Sequence, residues 1–396
     1  MKMQKINIGP KNKNLLVITP FFYPENYKIN DLVFSLSKKY KKIYVFTQSS
    51  NLTLLSTNFL KKNISIHYFP SFKDKNKNYF YIILNYVSLI LFSNFLILKF
   101  LFYKIDKILV FQTSPIFIIC PAIILKYFRK IKVYAWVLDF WPDTFWAHIN
   151  KKNKLFDTLI THSCKFLYSK CDEIFVSSHG FKKLFFKLLK RDVYYVPQWA
   201  EDNFKYVYRC QKKKEKINIF FAGNLGYAHN IDVLKKLFIK LKNSNIADFY
   251  IFSNGRKIQE LSYFIQKKQI RNVILNNYLS LNNYFNASKK CDLFLITLRN
   301  KKVFNHTMPA RLSTAFAMGL PVISYGSDEV RRLIESSRAG FAVKSSNLNL
   351  LVSKIVKFYN LSSIEKKKIK KNSFQFYKRN LNKKKLIKKI NTIMNY

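Results

Sequence analysis

The feature that most constrains this chain is a recurring one: short unbroken apolar runs, rich in β-branched residues, separated by stretches of helical spacing. Leu15–Thr19 (LLVIT) is the first. A run of that length without polar alternation reads as a strand buried on both faces, the mark of a parallel sheet. Asp31–Lys42 places apolar residues at helical spacing, with Asn30 or Asp31 as the N-cap candidate. Ile43–Thr47 (IYVFT) is the next strand. Strand, helix and strand in sequence make a βαβ unit.

The same grammar runs through most of the chain. Lys107–Gln112, Lys132–Val137, Glu173–Ser177 and Tyr194–Pro197 read as further strands of a first half. Ile217–Ala222, Phe249–Phe252, Val273–Leu275, Leu293–Thr297, Pro321–Ser324 and Gly340–Val343 read as strands of a second. With 396 residues this predicts an α/β fold of two domains. We expect an N-terminal domain over 1–198, a linker over 199–214, a second domain over 215–375 and a C-terminal helix over 376–396 that returns to the first domain. Met1–Asn14 is basic, but the apolar run after it is short and leads into Pro20, which reads as a strand and predicts no secretory signal. The five cysteines, Cys120, Cys164, Cys171, Cys210 and Cys291, include no C-x-x-C pair. That argues against a disulfide framework or a cysteine zinc site and fits a reducing compartment.

The formal charge of +49 suggests nucleic acid at first sight. Its distribution argues otherwise. Only 11 of the 70 basic residues are Arg, and the Lys residues spread along the whole chain rather than forming one stripe. Lys, Asn, Ile, Phe and Tyr share A/T-rich codons, so genomic drift produces the same bias. No nucleic-acid partner is expected; among polyanions, an anionic membrane surface fits best. Tyr79–Tyr103 bears on this. Its 25 residues hold one charge, Lys99, so its length permits a membrane span. Asn85, Ser88, Ser93 and Asn94 interrupt a clean span. An interfacial helix, an ordinary core helix and a spanning helix all remain open, the interfacial one preferred.

Four segments stand where an α/β sheet presents ligands, after the C-terminal ends of strands. Pro20–Asn30 contains Glu25. Leu138–His148 (LDFWPDTFWAH) holds Asp139 and Asp143 beside Trp141 and Trp146, aromatic faces and carboxylates suited to a sugar and its hydroxyls. Gly223–Asn230 (GNLGYAHN) places Gly223, Asn224, Gly226 and His229 between a strand and a helix start, where backbone N–H groups meet phosphate. His306–Pro321 (HTMPARLSTAFAMGLP) sets Pro309 at a helix start and Arg311 in its first turn, placed to bridge a diphosphate. Asn254–Gly255–Arg256 is a further strand-end turn. Each segment also has a plain structural reading, as loop, brace or packing helix. No H-E-x-x-H, D-x-D, P-loop or G-x-S-x-G pattern is present, so no metal site is indicated.

Five segments in order carry a resemblance: LLVITPFFYPE, YAWVLDFWPDT, VPQWAED, IFFAGNLGYAHNIDVL and MPARLSTAFAMGLPVI. Over about residues 13–360 the chain resembles the GT-B glycosyltransferases of family four, and within them the bacterial branch acting on O-antigen and colanic-acid lipid intermediates. The resemblance implies two Rossmann-like domains facing a cleft, the second binding a nucleotide sugar, UDP-linked by preference, and the first the acceptor. It implies metal-independent transfer with retention onto a polyprenyl-diphosphate-linked saccharide, with no cofactor, at the cytoplasmic face of the membrane. By it, Gly223, Asn224, Gly226, His229, Arg256, Pro309, Arg311 and Thr314 are donor-binding residues, Asp139 is the catalytic candidate, and Glu25, Asp143 and Trp141 face the acceptor. The chain departs from the family where two glutamates are usual: His306 and Thr314 stand there instead. A sugar-nucleotide epimerase and a non-catalytic partner of polysaccharide assembly are the competing readings.

Overall fold

The computed structural model describes residues 12–23, 27–49, 62–72, 79–149, 153–207, 215–253, 255, 257–276, 281–344 and 347–395. The first domain is built from β1 (Asn14–Thr19), α1 (Lys28–Leu36), β2 (Lys42–Ser49), β3 (Ile64–Pro70), α2 (Tyr79–Leu96), a 3-10 turn over Ile97–Phe102 and β4 (Lys107–Gln112). It continues through α3 (Cys120–Arg129), β5 (Lys132–Val137), α4 (Asp143–His148), α5 (Lys154–Ser169), β6 (Glu173–Val176), α6 (His179–Leu189) and β7 (Tyr194–Tyr195). All pairings are parallel, and the strand order is β3-β2-β1-β4-β5-β6-β7.

Side-chain alternation along these strands builds a core on each face. Leu15, Val17, Val45, Leu109, Phe111 and Trp136 point to one side, under α1. Leu16, Ile18, Phe46, Ile108, Val110 and Ala135 point to the other, under α2, α3, α5 and α6. Burial on both faces is why these strands read as continuous apolar runs.

The second domain repeats the plan. It runs β8 (Ile217–Ala222), α7 (Ile231–Leu241), β9 (Ala247–Phe252), α8 (Ile258–Lys267), β10 (Val273–Asn276), α9 (Leu281–Ser288), β11 (Leu293–Thr297) and the short α10 (Lys302–Asn305). Then follow α11 (Ala310–Ala317), β12 (Val322–Tyr325), α12 (Asp328–Ser337), β13 (Gly340–Val343), α13 (Leu348–Asn360) and α14 (Ser363–Phe376). The order is β10-β9-β8-β11-β12-β13, again parallel. After a π-helical turn over Tyr377–Leu381, α15 (Lys383–Met394) packs on α1 of the first domain. Its Lys383 reaches Asp31 at 2.8 Å, and Leu386, Ile387, Ile390 and Met394 join the core there.

Both sheets reverse strand direction of addition beside their first strand: between β1 and β4, and between β8 and β11. Crevices outside the strand ends at such switch points are where α/β sheets take ligands.

Two local expectations are corrected. The helix expected at Asp31–Lys42 begins at Lys28 and ends at Leu36; Tyr27 is its N-cap and offers no side-chain bond. Ile29, Leu32, Val33 and Leu36 form its buried stripe, so Asn30 lies inside the helix rather than capping it. β3 was not expected. Strand β2 pairs with it across seven positions from Ile43↔Ile64 to Ser49↔Pro70.

Candidate functional site

The site lies at the switch point of the second sheet. Gly223 leaves β8 with φ +126°, a region that L side chains rarely occupy. Its N–H donates to the Phe252 carbonyl at 3.0 Å. A Cβ there would stand 2.5 Å from Nη2 of Arg311, so the guanidinium lies directly against the backbone of this turn. The rest of the loop is fixed from β9: Leu225 N–H donates to Ser253 Oγ at 2.9 Å, and Lys257 N–H to the Leu225 carbonyl at 3.3 Å. Gly255 fits only because it lacks a side chain; a Cβ would meet Leu225 N at 2.3 Å and Asn224 Oδ1 at 2.5 Å.

Arg311 sits in the first turn of α11, whose N-cap is Pro309. The helix therefore starts one residue later than expected. Arg311 also lies 5.7 Å from the Phe221 ring centroid. A cation thus rests directly on one glycine turn at the end of a strand, an arrangement suited to a diphosphate. Thr314, one turn further on, is buried.

His229 is neutral at this site. It is buried, its Nδ1 meets the Thr297 carbonyl at 2.8 Å, and Phe221 packs edge-on against the ring. Burial first, and then the charge of Arg311, push its pKa down to about 3. It adds no positive charge to the site; it ties the loop after β8 to the end of β11. Glu25 and Arg256, and with the latter Asn254, lie outside the described residues.

A second cation was missed by sequence reasoning. Arg299 follows β11, its N–H bonded to the Ala228 carbonyl at 3.0 Å, and its guanidinium carbon lies 4.4 Å from the Tyr227 ring centroid. The available signal was position: Arg299 stands just past the C-terminal end of a strand flanking the switch point. The same Tyr227 ring lies 4.7 Å from the ring of His148, which belongs to the first domain. His148, Tyr227 and Arg299 therefore bring both domains to one place.

On the first domain, Asp139 follows β5 and leans on the turn after β4. Its Oδ2 accepts from Ser114 N–H at 2.9 Å and from Ser114 Oγ at 3.0 Å. Burial raises its pKa, against the Ser114 hydrogen bonds and the influence of His148, which lower it. Asp139 thus braces the turn and faces His148 electrostatically. One acceptor-side expectation is corrected. Trp141 is buried: its Nε1 donates to Ser114 Oγ at 3.1 Å, and its ring packs with Phe117 and Phe145. It is core, not a sugar platform. Asp143 pairs with Lys302 of the second domain at 2.9 Å, so its charge is engaged across the cleft.

Further contacts join the domains. Glu329, buried at the start of α12, accepts from the N–H groups of His179 at 3.0 Å and Gly180 at 3.2 Å, the first residues of α6. Arg332 contacts the same carboxylate at 2.8 Å. A Cβ at Gly180 would meet His306 Cα at 2.6 Å, so Gly180 allows the two domains to touch. His306, at one of the places where a glutamate is usual, is thereby held at the domain contact. Among the described residues no group of three or more His, Cys, Asp or Glu lies together as a metal site.

Residues 216–360 match the family model described as Glycosyl transferases group 1. No curated protein matches the chain. Solved structures match along almost its whole length. Sucrose-phosphate synthase from Thermosynechococcus elongatus has a TM-score of 0.78 at 9% identity, covering 97% of this chain and 98% of that one. Anabaena HepE in complex with UDP and glucose has a TM-score of 0.70 at 10% identity, covering 97% and 100%. The lipopolysaccharide outer core galactosyltransferase WaaB has a TM-score of 0.63 at 14% identity, covering 96% and 99%. The chain accordingly has the GT-B fold, and residues 216–360 of its second domain are similar to the group 1 glycosyl transferases.

Proposed function

We propose that this protein transfers a sugar from a nucleotide-sugar donor, UDP-linked by preference, to a lipid-linked saccharide at the cytoplasmic face of a bacterial membrane, in surface-polysaccharide synthesis. The observation that carries the donor half is the Gly223 turn resting on the Arg311 guanidinium at the switch point of the second sheet. The group 1 match over that domain and the UDP-bound fold relative support it.

The chemistry follows from charge. When the glycosidic bond to the nucleotide breaks, negative charge grows on the departing diphosphate. Arg311 and Arg299 are placed to stabilise it, which does the work a metal ion does elsewhere. The backbone of Gly223 and Asn224 lets the phosphates approach closely. Asp139 and His148 stand on the acceptor side, where a carboxylate or imidazole orients the attacking hydroxyl. Retention of anomeric configuration is part of the reading.

The test is turnover with a panel of UDP- and GDP-sugars and a short-chain polyprenyl-diphosphate saccharide, followed by release of the nucleoside diphosphate. The reading predicts release that depends on the lipid-linked acceptor. Donor binding without any transfer to lipid-linked saccharides would confine the reading to its donor half.

A further inference from the structure

Helix α2 is built with its polarity reversed. Asn85 Oδ1 accepts from Phe72 N–H at 2.7 Å, and its Nδ2 donates to the Phe72 carbonyl at 3.0 Å. Ser88 Oγ donates to the Pro70 carbonyl at 2.6 Å, and Ser93 Oγ donates to Leu89 within the buried face. The polar residues of this segment thus turn toward β3 and the protein. The outward face is apolar. Val87, Leu91, Phe95, Leu98 and Phe102 recur at helical spacing and are all exposed, Leu91 by 61%, Phe95 by 71% and Phe102 by 91%. Water is the wrong solvent for such a face.

The patch extends onto α3, which packs against α2 and the 3-10 turn. Tyr127, 82% exposed, and Phe128 stack edge to face there with ring centroids 5.5 Å apart. Its margin is basic. Arg129 donates to the Leu101 carbonyl, which places its charge beside Phe102. Lys104, Lys130 and Lys132 are exposed next to it. An apolar stripe with a cationic rim complements an anionic lipid surface: acyl chains for the stripe, headgroup phosphates for the rim.

Leu84–Phe102 is long and apolar enough to cross a membrane. Its packing opposes a span. The segment is bonded to the turn after β3 on one side, and β4, which pairs with β1, begins only a few residues beyond it. Leu89, Ile97 and Phe100 belong to the core of the first domain.

The patch also leads to the site. Helix α2 packs on the short helical turn Ile116–Ile119, which begins two residues after Ser114, and Ser114 bonds Asp139 through its N–H and Oγ. Burial raises the pKa of the Tyr86 phenol on α2, and the charge of Asp139 is felt there as well. We propose that the outward face of α2 and the 3-10 turn, with Tyr127 and Phe128, lies in the surface of an anionic phospholipid bilayer, in plane and without crossing it, so that the acceptor side of the cleft opens at the lipid headgroups. The bilayer is here the partner of the reading above, and its mode of contact rests on that reading only for the acceptor.

Flotation of the full chain with lipid vesicles tests this. Vesicles of phosphatidylcholine with a minority of phosphatidylglycerol should bind the protein, and phosphatidylcholine alone should bind it far less, with binding weakened by salt. The double variant Leu91→Ser/Phe95→Ser should bind at least about tenfold more weakly, since each substitution withdraws a large side chain from lipid. Lys104→Glu/Lys132→Glu should lose the preference for the anionic lipid. Ile364→Ser, an exposed apolar position on α14, should bind as the parent does. Unchanged thermal melting of each variant confirms its fold. Equal vesicle binding by parent and Leu91→Ser/Phe95→Ser overturns the proposal. So does a parent dimer in sedimentation that the double variant abolishes without a change in lipid binding, for then a second copy covers the face. UDP titration of the same samples separates the two claims: loss of lipid binding with intact UDP binding removes this surface alone, and lipid binding without nucleotide binding removes the donor reading alone.

Discussion

Arg311 is the residue on which the proposed donor site turns. Its guanidinium is held between the Gly223 backbone and the Phe221 ring, so its position is set before any ligand arrives. Removing a preorganised cation that meets developing charge costs about a hundredfold to a thousandfold in turnover. Arg311→Ala should lose about that much kcat, and Arg311→Lys should recover part of it, measured as nucleoside diphosphate release. Gly223→Ala combines a strained φ with contact against the guanidinium. Such backbone strain costs about 1–3 kcal/mol. The variant should melt earlier and bind nucleotide more weakly; a crystal structure of it with the Arg311 side chain unmoved would refute the packing described. The residue scale is also where the sequence was least legible. Trp141 and Asp143 looked like acceptor contacts because aromatic and acidic groups suit sugars. The structure places the first in the core and the second in an ion pair with Lys302, far away in sequence. Neither fate is encoded locally. Arg299 carried no motif and was visible only through its position after a strand.

Elements were far more legible, for a physical reason. Strands buried on both faces must be apolar throughout, so β1, β2, β4, β8 and β11 announce themselves. β3 lies at the sheet edge, with Ser65, Ile66, His67 and Tyr68 only partly covered, and its mixed sequence shows no such run. Helix α1 was misplaced because its first turn lacks a side-chain cap to mark it. The helix contact between domains is a feature no single element reveals: the Glu329 carboxylate on α12 fills the N-terminus of α6. Its removal strands the buried Gly180 N–H and the partly buried His179 N–H, at about 1–3 kcal/mol for the buried group. Glu329→Ala should lower the melting temperature and increase the radius of gyration in small-angle scattering as the domains part. A scattering curve identical to the parent's would mean that this contact does not hold them.

For the whole molecule, the two-domain α/β plan was readable from pattern and from five ordered segments, and the GT-B neighbours share it across nearly the full chain. A property of the whole is its response to acid. Burial pushes His229 down to about 3 and His67 down to about 4 from an ordinary 6.5, and lowers His148, His179 and His306 as well. A depressed histidine pKa means that the unfolded chain takes protons first. The stability it represents is complete above 6.5 and is lost as pH falls toward the folded value. At about pH 5 His229 alone accounts for about 2 kcal/mol. Asp139, raised by burial, acts with the opposite sign: the folded chain takes its proton first, and stability is regained as pH falls from the folded pKa to 3.8. Melting temperature should fall between neutrality and about pH 5, and His229→Gln should flatten that slope. A slope unchanged by His229→Gln would contradict the buried, neutral ring.

The central claim is that the second domain holds a nucleotide diphosphate on Arg311 and the Gly223 turn. Isothermal titration of the full chain with UDP, GDP and their sugar conjugates, in parallel with Arg311→Ala, tests it most directly. The account predicts that the parent binds one nucleotide family, UDP first, and that Arg311→Ala binds it at least about tenfold more weakly while staying folded. A folded parent that binds none of them, or a variant that binds as tightly as the parent, would contradict it.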